Sequence, residues 1–456
     1  MPAQRRIDVV LESVKRLLRM GATPNLLNLL VKQHPADLAQ IFTELAEKER
    51  AAAFSILVEK SPKLAMETVS ELGPEKGAEL LSMRSAEDIA RLAQEIPSDD
   101  AAALIEGLPE DLSAAVLELI RPKAGGGVSE LLEYPDQTAG RLMNPNVFAL
   151  PEDLTAGEAI TALQKSRDVE MVFYLYVVDG RRHLVGVVSL RRLLLVPPDT
   201  PLKRIMTTEV YSARVDVDQE EVAKQVASYN LLALPIVDSE NKLVGLITVD
   251  DVIDVIKEEA TEDVLRLAGV SADERVLTPS AESLRKRFPW LLINLVTAFL
   301  AAWVVGLFKH TIAVVVDLAV YQSIVAGMGG NAATQTLAVI VRGIALGELT
   351  WANAWQALRK EIWVSLGNGI GNGVIAALAV GLVSGDWVLA AILCLAMVIN
   401  LFVAATAGTL IPLGLKALKY DPALASTVFI TTFTDVFGFF SFLGLGTLFV
   451  RFLHHT

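Results

Sequence analysis

Five long apolar runs fill the last part of this chain, at about 289–308, 312–341, 362–384, 387–413 and 424–450. Each is about the length a helix needs to cross a bilayer, roughly 20 residues. In lipid a backbone can satisfy its own polar groups only as a helix or a closed barrel, so five spanning helices are expected. The last run holds one carboxylate near its middle, Asp435, within Thr431-Thr432-Phe433-Thr434-Asp435-Val436-Phe437-Gly438-Phe439-Phe440. A charge at that depth costs at least about 2.5 kcal/mol on insertion scales, so it persists where water, a partner or an ion meets it. A hydrogen-bonded acid inside a bundle and an ion site are both open on this stretch alone.

Charge divides the chain in the same place. Of 40 Lys/Arg and 53 Asp/Glu, ten and six fall from Arg285 onward, leaving 30 and 47 ahead of it, a net of −17 against +4. An acidic soluble part therefore precedes a membrane part. Such a surface repels nucleic acid and attracts cations. The single cysteine, Cys394, excludes an intrachain disulfide and points to a reducing compartment for the soluble part. Asp8, Glu12, Lys15 and Arg16 interrupt any signal-peptide core. Under alternating topology Arg285, Lys286, Arg287, Arg342, Arg359, Lys360, Lys416 and Lys419 fall on one side, and only Lys309 and Arg451 on the other. That bias places the soluble part in the cytosol and the C-terminus outside, in a multi-pass protein of the cell membrane.

Residues 1–127 read as an all-α domain. Apolar positions recur at three and four, as in Leu38, Ile41, Phe42 and Leu45, without alternating β-branched runs. Gly73-Pro74-Glu75, Pro97-Ser98-Asp99 and Pro109-Glu110-Asp111 each close one helix and open the next, with acids near its positive end. Helical hairpins stacked as a small solenoid are expected, ending in a flexible Ala124-Gly125-Gly126-Gly127 hinge.

Residues 128–256 contain a repeat. Val177-Val178-Asp179 with Leu184-Val185-Gly186-Val187-Val188-Ser189 recurs 59 residues later as Ile236-Val237-Asp238 with Leu243-Val244-Gly245-Leu246-Ile247-Thr248. Each copy reads as strand, turn, strand and helix, opened by Met143-Asn144-Pro145 or Met206-Thr207-Thr208. The repeat resembles a tandem pair of cystathionine-β-synthase (CBS) domains, 128–200 and 201–256, with an α+β fold. The resemblance implies a regulatory pair that dimerises and can bind adenosine nucleotides. Members that do so carry Ser/Thr-x-x-Asp after the last strand. The second copy has it as Thr248 and Asp251, whereas the first has Ser189 but Arg192 in place of the acid. ATP and a purely structural or cation-sensing pair both stay open.

Asp250, Asp254, Glu258 and Glu262 recur every four residues in a connecting segment, 250–284, flanked by Asp251, Glu259 and Asp263. Like charges at that spacing destabilise a helix by a few tenths of a kcal/mol per pair. Lys257 and Arg266 alone compensate in the helical part, and a divalent cation would screen the stripe through oxygen ligands. In the second run, Gly327-Met328-Gly329-Gly330-Asn331 precedes Ala332, Ala333, Thr334 and Gln335. Three glycines and a polar tail suggest broken backbone lining water.

Taken together, the chain resembles the MgtE family of magnesium channels, which has a helical N domain, a CBS pair, an acidic connecting helix and five spans. Gly-Met-Gly-Gly-Asn and Thr-Asp-Val-Phe-Gly-Phe are similar to that family's pore motifs. The resemblance implies a homodimer with hydrated Mg²⁺ at Asp435, in a pore shaped by Asn331, Gly327, Gly330 and Gly438. It implies regulatory Mg²⁺ that closes the pore, with the connecting helix as plug. Candidate sensors are Asp216, Asp218, Asp250, Asp254, Glu258, Glu259 and Asp263, with Asp421 before the last span and Glu59 and Asp88 in the N domain.

Enzyme classes find no support. The chain has neither Gly-x-x-x-x-Gly-Lys-Ser/Thr nor His-Glu-x-x-His. Asp317, near the outer end of its run, is the one further acid inside an apolar run, so a two-carboxylate intramembrane protease is not expected. The alternative is an ion-coupled carrier of Mg²⁺, Co²⁺, Mn²⁺ or Ni²⁺. A regulated scaffold without flux is a third reading.

Overall fold

The computed structural model describes residues 3–120, 127–166, 173–276, 278–424 and 427–453. Of the expected hinge at 124–127, residues 124–126 lie outside them, and Gly127 opens helix Gly127–Leu131 instead of serving as a flexible link. The chain divides into two compact units, Met1–Ile256 and Lys257–Thr456.

The first unit opens with helices from Ala3–Arg19 to Glu110–Ile120 joined by short turns. Proline sets their starts. Helices Pro35–Glu44, Pro62–Glu71 and Pro74–Leu81 begin on it, where a missing amide costs nothing. Gly73 precedes the last of these at φ +84°, a conformation open to glycine. Their apolar faces meet in a core containing Leu38, Phe42, Phe54, Leu57, Met66 and Ile89. The same core takes in Met143, Val222, Leu234, Ile247 and Val252, so the helical domain packs on the second repeat. The first repeat has its own core, around Leu175, Val177, Val188 and Leu193.

Each repeat is a three-stranded sheet. In the first, β1 (Ala149–Pro151) runs parallel to β2 (Tyr174–Val178), and β2 is antiparallel to β3 (Leu184–Ser189). In the second, β4 (Ala213–Arg214), β5 (Ala233–Val237) and β6 (Leu243–Thr248) repeat that order. The short β1 and β4 carry no alternation long enough to read from sequence. The two Met-led stretches cross over. Asn144 bridges to Leu246 of β6, and Thr207 bridges to Val187 of β3. Met143 lies against Gly245 and Met206 against Gly186, where any Cβ would collide with the thioether side chain.

The connecting helix is one piece, Val249–Leu267. In the second unit five helices are long and apolar enough to cross a membrane: Ser280–Leu307, Asp317–Ala345, Ala354–Ser384, Trp387–Ala417 and Thr427–Leu448, here the first to fifth spans. The fourth is the most apolar and most enclosed, and Leu393, Ala396, Met397 and Leu401 sit at its centre. It packs on the third through small residues: a Cβ at Gly369 would lie 3.0 Å from Val398 Cα, and one at Gly373 3.0 Å from Cys394 Sγ. Close helix approach in lipid depends on such residues.

Candidate functional site

The second and fifth spans pack antiparallel. A Cβ at Gly330 would lie 3.4 Å from Thr431 Cγ2, and Leu318 meets Gly446 near the other end. Asp435, one turn beyond Thr431, therefore lies level with the stretch at 326–329. The structure thus brings the two sequence motifs face to face. Ile430, Thr434, Gly438, Phe442 and Gly446 form the buried stripe of the fifth span, and Asp435 is half-buried at its edge. On the second span Gly329, Ala333 and Leu337 point into the bundle, whereas Gly327, Asn331, Thr334 and Gln335 are exposed. A polar face on a membrane helix is thereby left uncovered on the single chain.

Two details depart from the sequence reading. The second span is an unbroken helix through Gly327–Gly330, because its own backbone bonds are kept and glycine serves close packing instead. The Thr431, Thr432 and Thr434 hydroxyls donate back to Thr427, Val428 and Thr431 carbonyls at 2.7, 2.7 and 2.9 Å, leaving only their lone pairs for a ligand.

Sequence reasoning missed Asn400. It is fully buried in the fourth span, and its Nδ2 donates to Val325 O at 2.8 Å. A lone amide in a 31-residue apolar helix was the available signal. It also missed Glu361, eight residues into the third span and 5% exposed, which accepts from Thr336 Oγ1 at 3.2 Å and Lys360 Nζ at 2.5 Å. Asp317 is therefore not the one further acid in a span. Glu361 escaped because the flanking Arg359 and Lys360 mark the end of the apolar run.

The end of the connecting helix meets the foot of the fifth span. Arg266 pairs with both Asp421 and Glu262. Thr427 Oγ1 donates to Leu267 O at 2.8 Å, and Leu267 packs with Ala333, Leu337, Ala423 and Ile430. Asp421 Oδ1 also accepts from Ala423 N at 2.8 Å, so this candidate acid is met by an arginine and the backbone.

In the first unit, acids converge where the helical domain meets the second repeat. Burial raises the Asp99 carboxyl well above the usual range, and Asp251 and Asp100 add repulsion. Burial raises Asp100 as well, with Asp250 and Asp254 contributing against a Ser70 hydrogen bond that lowers it. Asp251 is pushed up to about 6, by burial above all, although Thr248 donates to it from Oγ1 at 2.6 Å. Asp99 Oδ1 is buried with no hydrogen-bond partner. Asp99 and Asp100 sit in an ordinary acidic helix start, Pro97-Ser98-Asp99, and nothing in the sequence separated them from a dozen like it.

The other candidates do not join this group. Asp88 pairs with Arg91 and Arg84 at 3.2 and 3.9 Å, and Asp216 with Arg214 at 2.9 Å. Asp218 caps helix Gln219–Tyr229 by accepting from Glu220 N, and Ser189 Oγ accepts from Arg192 N at 3.3 Å. Glu59 and Glu258 are exposed, and Glu259 and Asp263 half-buried. Among the described residues no three His, Cys, Asp or Glu side chains are grouped closely enough to hold a metal.

Comparison with known proteins decides the family. Residues 322–445 match the family described as a divalent cation transporter, 33–137 the MgtE intracellular N domain, and 139–199 and 202–258 the CBS domain. The chain is 36% identical over 328 residues to the magnesium transporter MgtE of Enterococcus faecalis, covering 72% of each chain. The chain belongs to the MgtE family.

Two further MgtE relatives give similar values. The Bacillus subtilis protein is 34% identical, covering 71% of this chain and 72% of its own, and the Thermus thermophilus protein 35%, covering 72% and 73%. Among solved structures, the cytosolic domain of an Mg²⁺ channel MgtE in complex with ATP aligns with TM-score 0.51 and 35% identity, over 54% of this chain and 99% of that one. The soluble part of a magnesium transporter aligns with TM-score 0.51 and 30% identity, over 56% and 99%.

Proposed function

We propose that this MgtE-family chain is a Mg²⁺ channel rather than an enzyme, formed by two copies and closed by cytosolic Mg²⁺. One observation carries the reading: the uncovered polar face of the second span, Asn331, Thr334 and Gln335, runs beside the fifth span that bears Asp435. Polar side chains at bilayer depth need water or protein around them. A second copy presenting the same face supplies both and doubles the carboxylate. Mg²⁺ gives up its waters reluctantly, so Asp435, Asn331 and the threonine oxygens hold it through its hydration shell. Gly327, with open space where a side chain would stand, keeps room for that hydrated ion, whereas Gly330 packs on Thr431 and Gly438, expected from the sequence to shape the pore, is buried against Asn400.

Regulatory Mg²⁺ would sit near Asp99, Asp100, Asp250, Asp251 and Asp254 and be held through its own waters, because no three carboxylates among the described residues are grouped closely enough to ligate it directly; the orphan Asp99 oxygen can accept from such a water. Glu258, Glu259 and Asp263 continue the acidic face toward Asp421. Without cation these groups repel; with it, repulsion becomes bridging, and the connecting helix stays seated at the foot of the fifth span as a plug. Turning a mostly open population into a mostly closed one takes a differential of about 5.5 kcal/mol, which several weak sites can share. ATP, as in the relative, would use Thr248 and Asp251, with Asp251 accepting from ribose hydroxyls. The soluble domains face the cytosol and the C-terminus the outside, as the positive-residue bias directs.

The test is Mg²⁺ entry into liposomes carrying the full chain, without Na⁺ or pH gradients, alongside oxidation of Asn331→Cys in a Cys394→Ser background. Gradient-independent entry and a disulfide-linked dimer support the reading. Entry that needs a Na⁺ or H⁺ gradient replaces it with a coupled carrier.

A further inference from the structure

Asn400 is a fully buried amide at the meeting point of the second, fourth and fifth spans. It is 0% exposed, in the most apolar helix of the molecule. Its Nδ2 donates to the Val325 carbonyl at 2.8 Å, across 75 residues of sequence. Glycines make room for it on both neighbours. A Cβ at Gly438 would lie 2.7 Å from Nδ2, and a Cβ at Gly329 would collide with the same atom. Those Cβ positions would stand 3.3 and 3.2 Å from Oδ1, which is buried and accepts from no group among the described residues. The amide is thus wedged in the seam between the two helices that carry the candidate pore residues.

Such a wedge is expensive. An unmatched buried polar atom is destabilising, and an apolar side chain of the same volume would fill the place without that cost. Gly329 lies two residues before Asn331, and Gly438 three residues after Asp435. Any change in how closely the two helices approach Asn400 therefore moves both proposed ligands of the ion.

We propose that Asn400 is a positioning residue for permeation. It fixes the spacing of the second and fifth spans, and hence the distance between Asn331 and Asp435. The proposal rests on the pore reading above and extends it to a residue that does not face the path. A purely space-filling side chain would set stability alone; a positioning amide also sets apparent ion affinity and ion preference.

Swapping volume across the seam separates the two roles. Asn400→Ala leaves a void, and Gly329→Ala in the same chain refills it without restoring the amide. Thermal midpoints of the purified full chain, and KM and maximal rate for Mg²⁺ against Co²⁺ in liposomes, would be measured for the parent, Asn400→Ala, the double variant and Asp435→Asn. The expected result is a several-fold rise in KM with weakened Mg²⁺ preference in Asn400→Ala. The double variant regains the thermal midpoint but not the KM. Parental KM and preference in either Asn400 variant, beside an inactive Asp435→Asn chain, overturn the Asn400 proposal alone. Parental flux in Asp435→Asn overturns the pore reading and this proposal with it.

Discussion

The Arg266 guanidinium sits on the Asp421 carboxylate, tying the last turn of the connecting helix to the chain just ahead of the fifth span. The two side chains are 34% and 27% exposed, a partly screened pair, and such pairs contribute up to about 1 kcal/mol. On the proposed gating, removing the pair by Arg266→Gln should raise the cytosolic Mg²⁺ needed for closure by up to about five-fold. Current recorded against cytosolic Mg²⁺ checks this. Unchanged closing in both Arg266→Gln and Asp421→Asn would remove the pair from gating.

Asp99 makes a second expectation. Its buried, unpartnered oxygen is repelled by Asp251 and Asp100, so the compact arrangement of the helical domain on the second repeat is under strain without cation. Asp99→Asn relieves that repulsion and removes a charge from the proposed cation site. The Mg²⁺-free chain should gain thermal stability, while Mg²⁺ raises its midpoint less than in the parent. A larger Mg²⁺ effect in the variant contradicts the assignment.

Acid should mimic the cation. The Asp251 carboxyl is raised from 3.8 to about 6, so its favourable contribution to the compact arrangement is full below the ordinary value and lost as pH rises through about 6. Asp99 and Asp100 shift in the same direction. In chelator, lowering the pH from about 8 to about 5 should protect the junction at Asp99 and Asp251 from proteolysis. At the proposed regulatory site protons and Mg²⁺ compete for the same acids, so apparent Mg²⁺ affinity should fall over that range. Protection that is lost on acidification would contradict the sign.

The glycines of the repeat are packing positions. A Cβ at Gly245 would strike Met143, and one at Gly186 would stand 2.5 Å from Met206 Sδ. Gly245→Ala should cost about 1–3 kcal/mol by overpacking, with partial recovery on adding Met143→Ala. Denaturant unfolding of the purified chain gives the answer; a neutral Gly245→Ala would show that the two strands part easily.

Those same positions show what the sequence made legible. Val-Gly-Val and Val-Gly-Leu, each matched by a Met-led stretch, announced a two-fold repeat, and the crossing of Met143 and Met206 between copies is its three-dimensional consequence. The spans were legible because apolar length is a local property. Side-chain partners were not. Asp88, Asp216 and Asp421 looked like open ligands until Arg84 and Arg91, Arg214 and Arg266 were placed beside them. Asp99 gained meaning only when folding brought Asp251 to it. Gly329 and Gly330 read alike in sequence, yet one backs onto Asn400 and the other onto Thr431, a distinction that helix rotation alone creates.

The most direct measurement is single-channel current from the full chain in planar bilayers, stepping cytosolic-side Mg²⁺ from the micromolar to the millimolar range, with Asp435→Asn in parallel. The account predicts discrete Mg²⁺ currents in the parent that shut as cytosolic Mg²⁺ rises, and no current in Asp435→Asn. Parental currents in Asp435→Asn, or Mg²⁺ flux without any current steps, would contradict it.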